Sequence, residues 1–434
     1  MLLGTVMAEG AARVASGYAA WLQGTDVIPT CSSLNALCTN DMPGVAFALD
    51  APGATLCRLR WEQPGTGAAG SEIQAGGRPM AVTWRHKLAT PGQATAILAL
   101  PGTAAVLVLV QGTLELVCAE RGECLQCLEV CDALLTAATL LTWQGTAYVI
   151  AVSMLGDVVA AQVVPGCQTT TPCRLAPISR WRLDSAQYTD VALTPGEDTD
   201  ACYLWAAHAH CGVDVVKLLP GASWRLEQVA FITTAGRVRQ LCARDSNVLA
   251  FTSEMAVYMF PPGPDTVGLD GMDCCLGHTH AEVLRAALVP QRDAASDTAA
   301  LVLVLLLCTT KANTLDLLQV QQGSGQSPVL TQAGSWQLPD WGVGLSLCAR
   351  LPTHLGGVPW PDGASEQPGG KRARGAPSAR LDAVARHAAL EPSADAPTSQ
   401  PIASIVCGVL SSPPRVVRGT VHQAAAQPAA LACT

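Results

Sequence analysis

Short apolar strands arrive along this chain in groups, each group roughly 35 to 50 residues after the last, with Gly, Pro or Asp turns between them. Segments 94–100, 104–110 and 113–118 form one group, and 139–142, 147–152 and 157–164 form the next. A unit of several strands that cannot bury its apolar face alone must stack on its neighbours. At 434 residues the chain exceeds the usual size of a single core, so it is either several domains or a closed repeat. The recurrence favours the repeat, and its period is that of a β-propeller blade.

Walking the units gives an all-β prediction: a single propeller over 1–434, with seven blades of four antiparallel strands, eight being the alternative count. After an N-terminal strand pair, 44–60 and 79–87 make a unit split by a Gly-rich loop at 65–77. Units then follow at 94–130, 134–164, 182–218, 224–260 and 283–320, with 165–177 as a linker. A seventh begins at 335–350 and resumes at 402–421. The N-terminal segment 2–27 is expected to complete that last blade, a strand near 2–6 or 17–22 joining the sheet that holds 402–410, because an unclosed ring leaves a long apolar edge. The tract 356–401, rich in Gly, Pro, Ser and Ala, reads as a disordered insertion within the last blade.

Only 14% of residues are charged, against roughly 25% in ordinary domains, which implies extensive sheet-on-sheet burial. The net charge of −8 argues against a globally nucleic-acid-binding surface. The N-terminus lacks a basic start and is broken by Glu9 and Arg13, and the most apolar run, 299–308, is ten residues long, about half of a membrane span. The 18 cysteines are scattered through strand-like contexts, which reads as buried free thiols in a reducing compartment. The expectation is an intracellular protein, cytoplasmic or nuclear, with no membrane contact.

The segment Leu276-Gly277-His278-Thr279, followed by Val283, Leu288, Pro290 and the strands 301–307 and 315–320, resembles a degenerate WD40 repeat. Asp190-Val191-Ala192-Leu193-Thr194-Pro195 is similar to the middle of another such repeat, although no Trp-Asp dipeptide occurs in the chain. The resemblance implies a divergent WD40-like propeller whose blades present surfaces to protein partners in a hetero-oligomeric complex. A second resemblance is narrower. Met154-Leu155-Gly156-Asp157-Val158 with 188–195 is similar in order and spacing to the non-catalytic propeller subunit of the tRNA guanine-N7 methyltransferase. It implies an accessory subunit that meets RNA indirectly, although Ala207-His208-Ala209-His210 stands where that family carries its charged partner contact.

Candidate chemistry is sparse. The run 273–280 holds Cys274, Cys275, His278 and His280, the residue types of a zinc site, but adjacent cysteines seldom point at one metal. His208 and His210, two apart, share one face of a strand without further ligands nearby. Cys124, Cys127 and Cys131 interleave with Leu125, Leu128 and Val130, as in a half-buried strand, and read as packing. No nucleophile elbow, P-loop or metalloprotease helix motif is present. The expectation is therefore no catalytic, cofactor-binding or metal residues and no cofactor. Lys371, Arg372 and Arg374 form a basic cluster suited to a partner or a localisation signal. A propeller hydrolase or lyase is the remaining alternative, and it requires polar residues facing the central channel.

Overall fold

The computed structural model describes residues 18–27, 36–39, 44–50, 54–61, 80–90, 92–166, 172–183, 187–196, 201–221, 223–244, 247–261, 271–288, 300–308, 313–322, 329–338, 341–349, 401–410 and 415–423. Their strands, in chain order, begin with β1 (Tyr18–Val27). The first blade is β2 (Ala36–Thr39), β3 (Val45–Asp50), β4 (Thr55–Arg60) and β5 (Ala81–Lys87). The second is β6 (Ala94–Leu100), β7 (Ala105–Val110), β8 (Thr113–Cys118) and β9 (Cys124–Glu129). The third is β10 (Leu135–Trp143), β11 (Thr146–Ser153), β12 (Asp157–Val164) and β13 (Arg174–Arg182). The fourth is β14 (Tyr188–Pro195), β15 (Cys202–His208), β16 (Val213–Leu219) and β17 (Arg225–Ile232). The fifth is β18 (Val238–Arg244), β19 (Asn247–Thr252), β20 (Ala256–Phe260) and β21 (Cys275–His278). The sixth is β22 (Val283–Leu288), β23 (Ala300–Cys308), β24 (Thr314–Gln322) and β25 (Val329–Gln337). The last comprises β26 (Trp341–Ala349), β27 (Pro401–Leu410) and β28 (Arg415–Gln423), with β1 as its outer strand.

These are seven four-stranded antiparallel sheets, each in plain up-and-down order. The first strand of each blade touches that of the next, and β26 touches β2, so the inner strands form a closed ring. β1 pairs with β28 from Tyr18 opposite Gln423 to Val27 opposite Arg415. The first and last described strands are thus neighbours in one sheet, β1 at its outer edge; residues 2–6 lie outside the described residues.

The strand pattern explains the stacking. All six residues of β7, Ala-Val-Leu-Val-Leu-Val, are buried, which requires cover on both faces of the sheet. Alternation then sorts the side chains. Val106, Val108 and Val110 pack toward the first blade with Phe47, Leu49 and Leu56, while Leu107 and Leu109 pack toward the third with Leu135, Val149 and Ala161. The next interfaces are built the same way, around Tyr148, Tyr188 and Trp224 between blades three and four and around Trp205, Tyr258 and Phe260 between four and five. The low charge content follows from this: middle strands have no solvent face to decorate.

Several sequence boundaries shift by one strand. The expected linker 165–177 contains the start of β13, the outer strand of the third blade, so Arg182 ends that blade instead of opening the next. Trp224 precedes β17, the outer strand of the fourth blade, and Ser335 lies in β25, the outer strand of the sixth. Outer strands are made mostly of half-exposed and exposed residues, strictly alternating in β5 and irregularly mixed in β17, so apolar runs alone overlook them. Gly277-His278 closes β21 of the fifth blade. The tract 356–401 lies outside the described residues, except Pro401 at the start of β27.

Candidate interaction face and central channel

Among the described residues every inner strand except β2 carries a β-bulge near its start. The register slips between Ala94 and Ala96, Leu135 and Ala137, Tyr188 and Asp190, Val238 and Gln240, and Val283 and Arg285. A bulge leaves one residue outside the ladder and re-aims its side chain. In three successive blades that residue is a threonine whose hydroxyl donates to the next blade's inner strand. Thr95 Oγ1 donates to Leu135 O at 2.7 Å, Thr136 Oγ1 to Tyr188 O at 2.9 Å, and Thr189 Oγ1 to Val238 O at 3.3 Å. At the next junction Arg239 takes the threonine's place and pairs with Glu282 at 2.7 Å.

The bulged residues and their neighbours line a cavity of about 210 Å³ on the ring axis, walled by Thr95, Thr136, Thr189, Asp190, Arg239, Gln240 and Arg285 among others. Asp190 accepts from Leu241 N at 2.6 Å and Gln240 Nε2 at 2.9 Å. Burial pushes its carboxyl up to about 6, against the opposing pull of the Leu241 and Val191 amides and of the Arg285 charge. The channel is polar, as a propeller enzyme would require, but the three hydroxyls, Asp190 and Arg239 already join neighbouring blades.

Further out, buried carboxylates brace the third strands. Asp157 accepts from Ser153 Oγ at 2.8 Å and pairs with Arg180 at 3.0 Å. Asp214 accepts from Tyr188 Oη at 2.8 Å and Gln228 Nε2 at 3.0 Å; burial and this carboxylate hold the Tyr188 phenol well above its ordinary range. Glu115, fully buried, lies 2.8 Å from His86 Nε2 of the first blade and accepts from the amides of Ala89 and Thr90.

One end of the ring differs in character. Because every blade repeats the same order, the turns between second and third strands all open on that end. There the third blade exposes Met154 and Leu155 (46% and 50%), the fifth Met255 (38%), and the fourth, from the end of β17, Phe231 (49%). Phe231 meets the ring of His208 edge-on at 5.9 Å, and His208 lies 5.5 Å from His210. Gly212 makes this seat possible: at φ +141° a Cβ there would stand 2.5 Å from Phe231 Cζ. Exposed apolar side chains and two imidazoles thus occupy this end of three consecutive blades.

The sequence-derived candidates fare variously. β15 ends at His208, so His210 belongs to the turn and not to the strand face. Within 273–280, Cys274 is buried, His278 is exposed, and His280 Nδ1 turns away to Asp316, 3.3 Å off. Cys131 is buried as expected, but Cys124 and Cys127 are exposed and their sulfurs lie 3.5 Å apart. Burial, with the Cys127 thiol and Glu115 adding to it, pushes the Cys124 thiol up to about 12. Lys371, Arg372 and Arg374 lie outside the described residues. The threonine joints were missed, although aligning Ala94-Thr95-Ala96, Leu135-Thr136-Ala137 and Tyr188-Thr189-Asp190 exposes them.

No family model matches this sequence, and no curated protein does. Solved structures do. BBS1N in complex with ARL6DN, from a crystal soaked with mercury, superposes with a TM-score of 0.54 at 8% identity, over 94% of this chain and 97% of that one. The same complex soaked with lead gives 0.52 at 9% identity, over 91% and 93%. At such identities the likeness shows the fold, a β-propeller. With 983 solved chains matching, that fold by itself selects no function.

Proposed function

We propose that this protein is a non-catalytic propeller scaffold, a subunit that binds a folded protein partner through the end of the ring carrying Met154, Leu155, Phe231 and Met255. The observation that carries the reading is the contrast between the two polar and apolar regions. The three channel hydroxyls, Asp190 and Arg239 are committed to bonds between blades, while four large apolar side chains stand exposed at one end of three neighbouring blades. Exposed Met, Phe and Leu grouped over neighbouring elements are the composition of an interface centre. That the BBS1N structures hold a second protein, ARL6DN, supports the same use of the fold.

Within this reading the chain is a divergent WD-repeat relative that works inside the cell, in the cytoplasm or nucleus, with Lys371, Arg372 and Arg374 serving localisation or an acidic partner. Met154 and Leu155 fall in the segment that resembles the accessory subunit of the tRNA guanine-N7 methyltransferase, which makes that catalytic subunit the first partner to try. The test is co-purification with Met154→Ser, Leu155→Ser, Phe231→Ser and Met255→Ser combined. A stoichiometric partner held by the wild type and lost by an equally stable variant supports the reading. Retention of that partner, or a wild type that is stably monomeric in native extract, counts against it.

A further inference from the structure

In a regular strand, residues three apart point to opposite faces of the sheet. β9 is not regular: Val117 pairs with Cys124 and Leu116 with Gln126, so Leu125 is the extra residue of a bulge. The bulge returns Cys124 and Cys127 to one face, with Sγ atoms 3.5 Å apart. Glu115 sits directly opposite Cys127 on β8, and a carboxylate oxygen and both sulfurs lie within 4.8 Å of one another. The opposite face of the same strand packs on the third blade, where Gln126 bonds both backbone groups of Leu175. The thiols therefore face the seam with the first blade and reach solvent.

From this geometry we propose that Cys124, Cys127 and Glu115 bind a thiophilic divalent cation of the zinc class. Two thiolates each about 2.3 Å from a tetrahedral zinc are roughly 3.8 Å apart, and the sulfurs need move only slightly from 3.5 Å. Glu115 is held for the task. Three donors, His86 Nε2 and the amides of Ala89 and Thr90, fix its carboxylate through four contacts, two on each oxygen, the Ala89 amide being shared between both; a metal would take the place of one half of that shared contact. Such outer partners orient a ligating carboxylate. Binding forms two metal–sulfur bonds and one metal–oxygen bond; the two thiol protons pass to solvent, and water takes the fourth position. The ion would clip β8 to β9 and, through His86, tie the second blade to the first.

The experiment uses the full chain, reduced, loaded with Zn2+ and dialysed against a weak chelator, with Cys211→Ser as a control at an exposed thiol elsewhere. Wild type and control should keep one equivalent of zinc that Cys124→Ser/Cys127→Ser lacks, and a Co2+-loaded sample should lose its thiolate charge-transfer band in the double variant. His86→Ala should weaken binding about 10- to 100-fold. Should the double variant fail to fold, alkylation of the wild type decides: Zn2+ should slow the reaction at Cys124 and Cys127 but not at Cys211. Equal zinc content in wild type and double variant, or equal alkylation with and without zinc, overturns the proposal.

Discussion

If the threonine joints hold neighbouring blades together, replacing Thr136 by Val should loosen the ring without altering its shape. Valine keeps the β-branched outline and removes only the hydroxyl. Both contacts of the hydroxyl go: the 2.9 Å bond to Tyr188 O in the next blade and the weaker one, 3.3 Å to Val152 O, within the third. A net hydrogen bond is worth about 0.5–1.5 kcal/mol, and leaving a buried carbonyl bare costs about 1–3 kcal/mol. Thr136 itself lines the axial cavity, from which water can take the place of the hydroxyl, so the lower range applies and roughly 1 kcal/mol is the expected loss. Thr95→Val, with the 2.7 Å bond, should cost at least as much, and Thr189→Val, at 3.3 Å, less. The three sites serve different junctions, so the triple variant should lose roughly 2–3 kcal/mol. Urea unfolding followed by circular dichroism reads this directly: the midpoint should fall and the slope should stay. A triple variant within about 0.5 kcal/mol of wild type would refute the idea that these hydroxyls join the blades, as would a Thr189 change larger than the Thr95 one.

Three other outcomes follow from the same geometry. The Asp190 carboxyl, raised to about 6 in the folded protein against about 3.9 unfolded, binds protons more tightly when folded, so stability should fall as pH rises from about 4 through 6, by roughly 1–3 kcal/mol; Asp190→Asn should abolish that slope in melts taken across the range, and an unchanged slope would contradict it. Leu107→Ala, at a position fully buried between the second and third blades, should cost about 2–5 kcal/mol in chemical denaturation, whereas a loss below 1 kcal/mol would mean the interface collapses around the gap. Removing residues 1–27 deletes β1 and bares β28, so size-exclusion chromatography should show aggregates; a soluble monomer with wild-type melting temperature would show that the outer strand is dispensable.

The middle strands made the ring legible in the sequence. Ala105–Val110 is a continuous apolar run, and Thr113–Cys118 is one but for Thr113 and Glu115, because both strands are buried on both faces, and such runs announce their period. Outer strands did not announce themselves: β13 and β17 mix half-buried with exposed residues and carry Arg174, Arg180 and Arg225, so they read as linkers or as the start of the next unit. The functional surfaces were harder still, because they depend on bulges. One unpaired residue at Leu125 turned an apparently packed Cys124-x-x-Cys127 into a facing thiol pair, and the unpaired Thr95, Thr136 and Thr189 became joints between blades. A bulge is a matter of register between two strands, which periodicity within one strand does not encode. The exposed apolar side chains were hidden for a related reason: Met154, Phe231 and Met255 lie far apart in sequence, and only the shared end of three blades assembles them.

The scaffold reading is tested most directly by hydrogen–deuterium exchange on the protein alone and with whatever partner co-purifies in stoichiometric amount. Protection should appear at the turns around residues 153–156, 209–212 and 253–256 and at the end of β17, with little change at the opposite end of the ring. Protection confined to the opposite end, or to the outer faces of other blades, would contradict it.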